Sequence, residues 1–245
     1  MEELRSEYLG KGISVLVSRS HGFGTDAILL AHFARAKRNE LICDMGTGCG
    51  IIPLLWCREE RCRKITALDI KPQACYQLSE SVKLNGLAEK IEVLNADLKE
   101  LKGVLPFGKY DLVTMNPPYK APSAGIKSAS EADLTARHET ACTLDDVVKS
   151  ASELLRFGGR LCLCQRPERL CDIFCAMRKY SIEPKRLRTV AQACGKAPWL
   201  ILVEGRKGGK SGMVIEPDFF IMDGEDYSRE LKLIYKDYFN DKDKA

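Results

Sequence analysis

The four residues Asn116-Pro117-Pro118-Tyr119 carry the clearest chemistry in the chain. An exocyclic amino nitrogen such as N6 of adenine is a poor nucleophile, because its lone pair is delocalised into the ring. The Asn116 side-chain oxygen and the Pro117 carbonyl can each accept one hydrogen of such an amine, and the prolines keep both acceptors in place. The Tyr119 ring offers a stacking face for a base. As structure alone, Asn-Pro-Pro is a rigid turn after a strand. The motif predicts a site that orients an amino or amide nitrogen, with Asn116, Pro117 and Tyr119 catalytic and Pro118 and Tyr119 contacting substrate.

A glycine-rich segment, residues 44–50 (DMGTGCG), follows a short apolar run that predicts a strand. Glycines allow a tight turn and aim amide N–H groups at an anion over a helix N-terminus. The dinucleotide fingerprint G-x-G-x-x-G fails, because position 51 is isoleucine. D-x-G-x-G-x-G is instead the pattern by which class I methyltransferases hold S-adenosylmethionine, which carries a carboxylate but no pyrophosphate. We therefore expect this cofactor to be bound by Asp44, Gly46, Thr47, Gly48 and Gly50.

Two further acids follow predicted strands, at the edge where open α/β sheets bind ligands. Asp69 ends the second strand and could accept hydrogen bonds from both ribose hydroxyls of an adenosine. Asp97 ends the third strand and could accept from the adenine amino group. Either acid alone is equally well explained as a helix cap or turn residue. With the glycine loop in register, an adenosine site is the better explanation, formed by Asp69 with Ile70, by Asp97 with Leu98, and by Asn116.

The elements that must position these residues alternate between strands and helices. This alternation predicts a doubly wound α/β fold whose seven-stranded sheet is mostly parallel. A C-terminal antiparallel hairpin, 187–192 with 199–206, completes the sheet. In this interpretation residues 1–40 form an N-terminal extension or lid, and residues 41–240 form the cofactor-binding domain. The predicted segments are strands at 41–45, 64–70, 90–97, 109–116 and 160–165, and helices at 51–59, 72–84, 144–156 and 168–180.

The composition is that of an ordinary globular chain: 245 residues, 45% hydrophobic and 29% charged, with a net charge of +4. The first eight residues, MEELRSEY, lack the apolar core of a signal peptide, and no apolar run is long enough to cross a membrane. Most of the eleven cysteines lie in apolar or helical segments, which favours free thiols in a reduced, cytoplasmic protein. The cysteines and the three scattered histidines make no convincing zinc set, so we expect no metal.

Positive charge is concentrated late in the chain. Residues 178–210 contain nine basic and two acidic residues, which gives this segment more net charge than the whole chain. Such a cluster can form a phosphate-contacting surface, with Lys185, Arg186 and Arg188 as the candidate RNA contacts. A solvated hairpin is the alternative. Arg137 follows the Asn-Pro-Pro-Tyr segment and is either a substrate contact or a helix cap.

In combination, several segments resemble bacterial tRNA N6-adenine methyltransferases over about residues 10–235. The resemblance implies a fold that binds S-adenosylmethionine and an activity on the adenine beside the anticodon of a valine tRNA. It also implies that the segment 23–26 closes over the cofactor, which adds Thr25 and Asp26 to the candidate contacts. The segments are HGFGTDAILLAHFA (21–34), CDMGTGCGIIPLL (43–55), MNPPY (115–119), ARHE (136–139) and the run RFGGRLCL.

Three alternatives use the same fold. A glutamine methyltransferase of release factors carries Asn-Pro-Pro-Tyr but also a sizeable helical domain before its cofactor core, and only 40 residues precede the first strand here. A DNA N6-adenine methyltransferase would need a target-recognition domain, for which the chain has no room. A non-catalytic RNA-binding module is opposed by the complete set of acids and the intact Asn-Pro-Pro-Tyr.

Overall fold

The computed structural model describes residues 2–117 and 142–235 together with Tyr238. The first strands are β1 (Arg5–Gly10) and β2 (Ile13–Val17), which form an antiparallel hairpin ahead of the main sheet. The long strands of the main sheet are β3 (Leu41–Met45), β4 (Lys64–Asp69), β5 (Ile91–Asn95), β6 (Tyr110–Met115), β7 (Leu155–Gln165), β8 (Ile182–Ala191) and β9 (Pro198–Lys207).

The long strands lie in the order β5-β4-β3-β6-β7-β9-β8. Strands β3 to β7 are parallel, and β9 is antiparallel to both β7 and β8. The doubly wound sheet with its C-terminal antiparallel hairpin is therefore confirmed. Within the described residues the sheet has nine strands rather than seven, because β10 (Val214–Ile215) and β11 (Phe219–Phe220) pair with β8. A small hairpin of β12 (Met222–Asp223) and β13 (Asp226–Tyr227) follows.

Helices cover both faces of the sheet, and two of them begin at residues that favour a helix start. Pro72 is the first residue of its helix, where no amide hydrogen bond is lost, and Thr143 and Asp146 form a reciprocal capping box. The helices are α1 (Thr25–Ala34), α2 (Ile51–Arg58), α3 (Pro72–Leu84), α4 (Leu144–Leu154), α5 (Leu170–Lys179) and α6 (Arg229–Tyr235).

The core is divided between the two faces of the sheet. Side chains alternate along a strand, so Cys162 and Cys164 of β7 pack with α1, α2, α3 and α6, whereas Leu161 and Leu163 pack with α4 and α5. Leu9 and Val15 of the N-terminal hairpin and Leu30 of α1 are also fully buried in the first cluster. Residues before β3 therefore contribute to the main hydrophobic core.

The junction between α4 and β7 differs from the prediction. The helix ends at Leu154 and the strand begins at once with Leu155, so Gly158 and Gly159 lie inside the strand. Gly158 has φ 76°, and the pairing with β6 shifts register here. A Cβ on Gly159 would lie 2.9 Å from the Tyr110 carbonyl oxygen. The two glycines, which separate the predicted helix 144–156 from the predicted strand 160–165, instead form a bulge where neighbouring strands approach closely.

Candidate active site

The carboxyl ends of the parallel strands surround a cavity of about 370 Å³. The glycine loop after β3, the turn after β4 and the segments after β5 and β6 each contribute to its wall, as expected for a doubly wound sheet. Its lining contains His21, Gly46, Gly48, Leu68, Asp69, Ile70, Lys71, Ala96, Asp97, Leu98, Met115, Asn116 and Cys142.

The glycine loop requires glycine for two different reasons. Gly46, Gly48 and Gly50 all have positive φ, between 57° and 81°. At Gly50 a Cβ would lie only 2.1 Å from Cδ1 of Leu78 on α3, so this glycine lets the loop pack against the helix. At Gly48 a Cβ would meet nothing within 4 Å. The second glycine therefore supplies backbone geometry, and the third supplies close packing.

Asp69 holds the glycine loop and the next turn together. Its Oδ2 accepts a hydrogen bond from the Gly48 amide at 2.9 Å, and its Oδ1 accepts from the Lys71 amide at 2.9 Å. Each carboxylate oxygen has a second lone pair, so these bonds leave acceptor capacity for a ligand. Asp69 thus fixes the shape of the cavity wall and offers acceptors at the place expected for a ribose.

Asp44 lies beneath the loop and is fully buried. Its Oδ1 accepts a hydrogen bond of 2.6 Å from the Thr114 hydroxyl. Burial raises the pKa of Asp44 to about 7, although the Thr114 hydrogen bond acts in the opposite direction. The neighbouring Thr47 hydroxyl lowers the pKa of Asp44 in the same way, so the buried carboxyl and the two hydroxyls form one polar cluster beneath the glycine loop.

Asp97 has the capping role that the sequence left open. Its Oδ1 accepts from the Lys99 amide at 2.9 Å and caps the short 3₁₀ turn Leu98–Glu100. Its Oδ2 lies 3.6 Å from Lys99 Nζ. Asp97 also lines the cavity together with the predicted apolar residues Leu98 and Ile70, the latter half exposed. Capping and ligand contact are compatible, because the cap uses one of several acceptor positions.

Asn116 leaves β6 at the wall of the cavity and is held from two sides. Its Nδ2 donates to Asp26 Oδ2 at 3.0 Å, and its Oδ1 accepts from the Cys164 thiol at 3.1 Å. Asp26 belongs to the first turn of α1, and the fully buried Cys164 belongs to β7. The structure therefore brings Asp26 into the site through Asn116, a contact that sequence reasoning did not predict. Pro117 follows directly and is buried.

Thr25 does not line the cavity at the ends of the parallel strands, although it was a candidate cofactor contact, whereas His21 lines it without having been predicted. Thr25 Oγ1 accepts from the Tyr235 hydroxyl at 3.0 Å. His21 Nδ1 lies 2.8 Å from Ser20 Oγ, and within the described residues the buried Nε2 of His21 has no partner. Burial is the main reason that the pKa of His21 is lowered. A lone histidine before a helix gave no sequence signal for this position.

The candidate RNA contacts on β8 are all engaged in contacts within the protein. Arg186 donates to the Phe33 carbonyl and pairs with Glu204 at 3.6 Å, and Arg188 pairs with Glu230 through two hydrogen bonds. Both arginine side chains are less than 15% exposed. Lys185 donates to the carbonyls of Lys210 and Gly212.

The basic segment 178–210 also lies mostly at the edge of the sheet opposite Asn116. Gln165 at the end of β7 pairs with Ile201, whereas Arg160 pairs with Arg206. The end of β9 and the start of β8 are therefore at the edge opposite Asn116. Linear clustering of charge could not reveal this, because an antiparallel hairpin sends its two ends to opposite edges.

Pro118, Tyr119 and Arg137 lie outside the described residues. Within the described part of the chain, no group of three or more histidine, cysteine, aspartate or glutamate side chains is arranged to hold a metal ion. In that same part, no helix is long and apolar enough to span a membrane.

Comparisons with known proteins agree with this fold. Residues 27–132 match the family model of the TRM5/TYW2 methyltransferase domain. A tRNA1(Val) (adenine(37)-N6)-methyltransferase of Parabacteroides distasonis is 30% identical over 224 residues, which are 88% of this chain and 90% of the relative. A protein of the same name from Histophilus somni is 29% identical over 228 residues, or 88% and 89% of the two chains.

Among solved structures, the fold is similar to the crystal structure of a predicted O-methyltransferase from Agrobacterium tumefaciens. The TM-score is 0.69 at 21% identity, and the match covers 86% of this chain and 95% of that one. The sheet order, the glycine loop with its acids and these matches define the chain as a class I S-adenosylmethionine-dependent methyltransferase. More narrowly, it belongs to the tRNA1(Val) (adenine(37)-N6)-methyltransferase family.

Proposed function

We propose that this protein transfers a methyl group from S-adenosylmethionine to N6 of an adenine in tRNA, and that this adenine is position 37 of a valine tRNA. The observation that carries the proposal is the restrained amide of Asn116 at the wall of the cofactor cavity. The names of the relatives supply the particular nucleotide, since those proteins are tRNA1(Val) (adenine(37)-N6)-methyltransferases.

The cofactor would be held by the loop 46–50 and by Asp69, with Ile70 and Leu98 against its apolar portions. His21 Nε2, which lines the cavity and has no hydrogen-bond partner among the described residues, is a polar group that this ligand could satisfy. When bound, S-adenosylmethionine supplies a methyl group on a positively charged sulfur. Asp97 would accept from the adenine amino group with the capacity that its capping bond leaves.

Asn116 and Pro117 would orient the target amine. The Asn116 side-chain oxygen has two lone pairs, so it can accept one amine hydrogen while it keeps the bond from Cys164. The Pro117 carbonyl would accept the other hydrogen. Two acceptors draw the amine away from planarity, so that its lone pair points out of the base ring. Tyr119 would stack on the base, with Pro118 beside it. As the N–CH3 bond forms and the S–CH3 bond breaks, the cofactor would leave as a neutral thioether, and the positively charged nitrogen would lose its proton to water, so no general base is needed.

We also propose that residues 1–40 act with the domain 41–240 in this reaction, since Asp26 of the extension holds Asn116. Residues 1–40 would thus help to position Asn116 and would not serve only as a lid over the cofactor. Arg137 and Lys185 stay candidates for RNA contact, whereas Arg186 and Arg188 are assigned to internal ion pairs. Activity on tRNA would place the protein in the cytoplasm.

The test is methyl transfer with labelled S-adenosylmethionine. The substrates are a valine tRNA transcript with adenine at position 37, the same transcript with guanine there, total tRNA, and a release factor. We expect the transcript with adenine at position 37 to contain N6-methyladenosine after nuclease digestion, and the transcript with guanine there to contain none. Label in the release factor would support the glutamine methyltransferase instead. Cofactor binding without transfer to any of these substrates would support a non-catalytic module.

A further inference from the structure

A second cavity, of about 290 Å³, opens at the same edge of the sheet. One wall comes from the β12–β13 hairpin and α6, and the other comes from the turn between β8 and β9 and the start of β9. It shares no lining residue with the cofactor cavity. Its lining is Thr25, Gln192, Trp199, Ile221, Tyr227, Leu231 and Tyr235. We call it the aromatic cavity.

The aromatic cavity has the chemistry of a nucleobase site. Three aromatic rings line it, and one of them belongs to Tyr227, a residue that is 46% exposed. Such rings stack on any base, because every base has a π-face. Gln192 adds an exposed amide that can both donate to and accept from a base edge. Ile221 and Leu231 provide a buried apolar floor.

The position of the aromatic cavity relates it to the reacting base. Thr25 belongs to it, and the next residue, Asp26, holds Asn116. The two cavities lie over different strands of one edge: the cofactor cavity over β3 to β6, and the aromatic cavity over β8 and β9. Asn116 lines the cofactor cavity but not the aromatic cavity. A base held in the aromatic cavity would therefore be a neighbour of the reacting base rather than the reacting base itself.

Positive charge flanks the aromatic cavity. Lys196 is exposed in the turn that also carries Gln192. The exposed Arg166 donates to the carbonyl of Trp199, a residue that lines the cavity, at 3.3 Å. A nucleotide carries a phosphate on each side of its sugar, so cations beside a stacking pocket fit a nucleic acid backbone.

We propose that the aromatic cavity binds an unpaired nucleobase immediately next to the target adenine, by stacking against Tyr227 and Trp199. This inference rests on the proposed function, because it assumes an RNA substrate. It adds a specificity site: the enzyme would recognise the single-stranded context of the adenine as well as the adenine itself.

The first test is kinetic and uses an anticodon stem-loop RNA. Tyr227→Ala should raise KM for the RNA about tenfold, within the usual range for loss of one stacked base, and Tyr227→Phe should not. The rate at saturating RNA and the affinity for S-adenosylmethionine should stay unchanged. Phe157→Ala is the control, because Phe157 is 77% exposed at the start of β7, on the opposite edge.

The second arm of the test removes the neighbouring base from the RNA instead of the tyrosine ring from the protein. An abasic nucleotide on one side of the target adenine should raise KM by a similar factor, and the abasic RNA should not distinguish Tyr227→Ala from wild type. Methylation with normal KM by Tyr227→Ala, or additive effects of the two changes, would overturn the inference and leave the proposed function intact.

The third arm does not depend on methylation. Trp199 and the buried Trp56 are the chain's two tryptophans, so RNA stacking should quench fluorescence in wild type but not in Trp199→Phe. Quenching by the stem-loop without any methyl transfer would refute the proposed function while retaining the cavity as a base site. Methyl transfer without quenching would refute the assignment of the aromatic cavity as a base-binding site.

Discussion

Asn116 and Asp26 lie 90 residues apart in the sequence and are joined by a hydrogen bond of 3.0 Å from Asn116 Nδ2 to Asp26 Oδ2. An ionised carboxylate can only accept, so this bond assigns the nitrogen of the amide to Asp26. The thiol of Cys164 then donates to the opposite end of the same amide. These two bonds fix the side-chain oxygen of Asn116 as an acceptor, and α1 contributes directly to the orientation of the amide.

Asn116→Ala should lower the rate of methyl transfer by about 10²- to 10³-fold, comparable with the loss of one preorganised transition-state hydrogen bond. The glycine loop and Asp69 are unchanged, so affinity for S-adenosylmethionine should stay near wild type. Single-turnover transfer at saturating cofactor measures the first quantity, and calorimetry measures the second. A well-folded Asn116→Ala enzyme with near-normal turnover would contradict the proposed mechanism.

Asp26→Ala should reduce turnover about tenfold, because Asn116 loses the acceptor that orients it. Asp26→Asn should restore much of the rate, since its side-chain oxygen can still accept from Asn116 Nδ2. The affinity for S-adenosylmethionine distinguishes this positioning role from direct contact with the cofactor. If both variants lose cofactor affinity in proportion to turnover, Asp26 is a cofactor contact and does not act through Asn116.

Most of the fold was predictable, because buried parallel strands and their helices leave strong local patterns. The strand 64–70 and the helix 72–84 match Lys64–Asp69 and Pro72–Leu84 closely. The exception at Gly158 and Gly159 arose because glycine serves equally at a helix end and in a strand bulge, and only the approach of the Tyr110 carbonyl separates these uses.

The site was predictable where function lies in one segment, and not where it depends on contacts between distant segments. Residues 44–50 and Asp69 could be recognised from spacing alone. The link from Asp26 to Asn116 and the place of His21 in the cavity arise from packing of the N-terminal residues onto the sheet. Arg186 and Arg188 show the converse: a sequence displays their charge but not the acids that pair with it.

A comparison of Asp69→Ala with Gly50→Ala should separate effects on cofactor affinity from effects on the stability of the fold. Asp69→Ala should weaken S-adenosylmethionine by about 1.5–3 kcal/mol, the usual range for charged hydrogen bonds. Gly50→Ala should instead lower the free energy of unfolding by about 1–3 kcal/mol, because its Cβ would overlap Leu78. Calorimetry and denaturant titration measure the two effects. Unchanged cofactor affinity in Asp69→Ala would refute its assignment.

Charge reversal should reveal which edge of the sheet contacts RNA. Arg166→Glu with Lys196→Glu should flatten the decrease of RNA affinity with salt, because these cations lie at the same edge of the sheet as Asn116. Arg206→Glu with Lys210→Glu is the matched control at the opposite edge. Binding of the tRNA from 50 to 200 mM salt provides the slopes. A flattened slope in the control pair alone would instead place the RNA surface at the edge of the sheet opposite Asn116.

Asp44→Asn should change how stability depends on pH. Burial raises the pKa of Asp44 from 3.8 in the unfolded chain to about 7 in the fold, so the folded protein retains a proton that the unfolded chain releases. The stability that this group contributes is present below pH 4 and is lost as the pH rises through 7. Asparagine cannot titrate and its oxygen can still accept from Thr114, so the variant should lack this loss. Relative to wild type, Asp44→Asn should gain on the order of a few kcal/mol between pH 4 and 8, measured by denaturant unfolding at each pH. Parallel stability curves for the two proteins would show that Asp44 is already ionised in the fold.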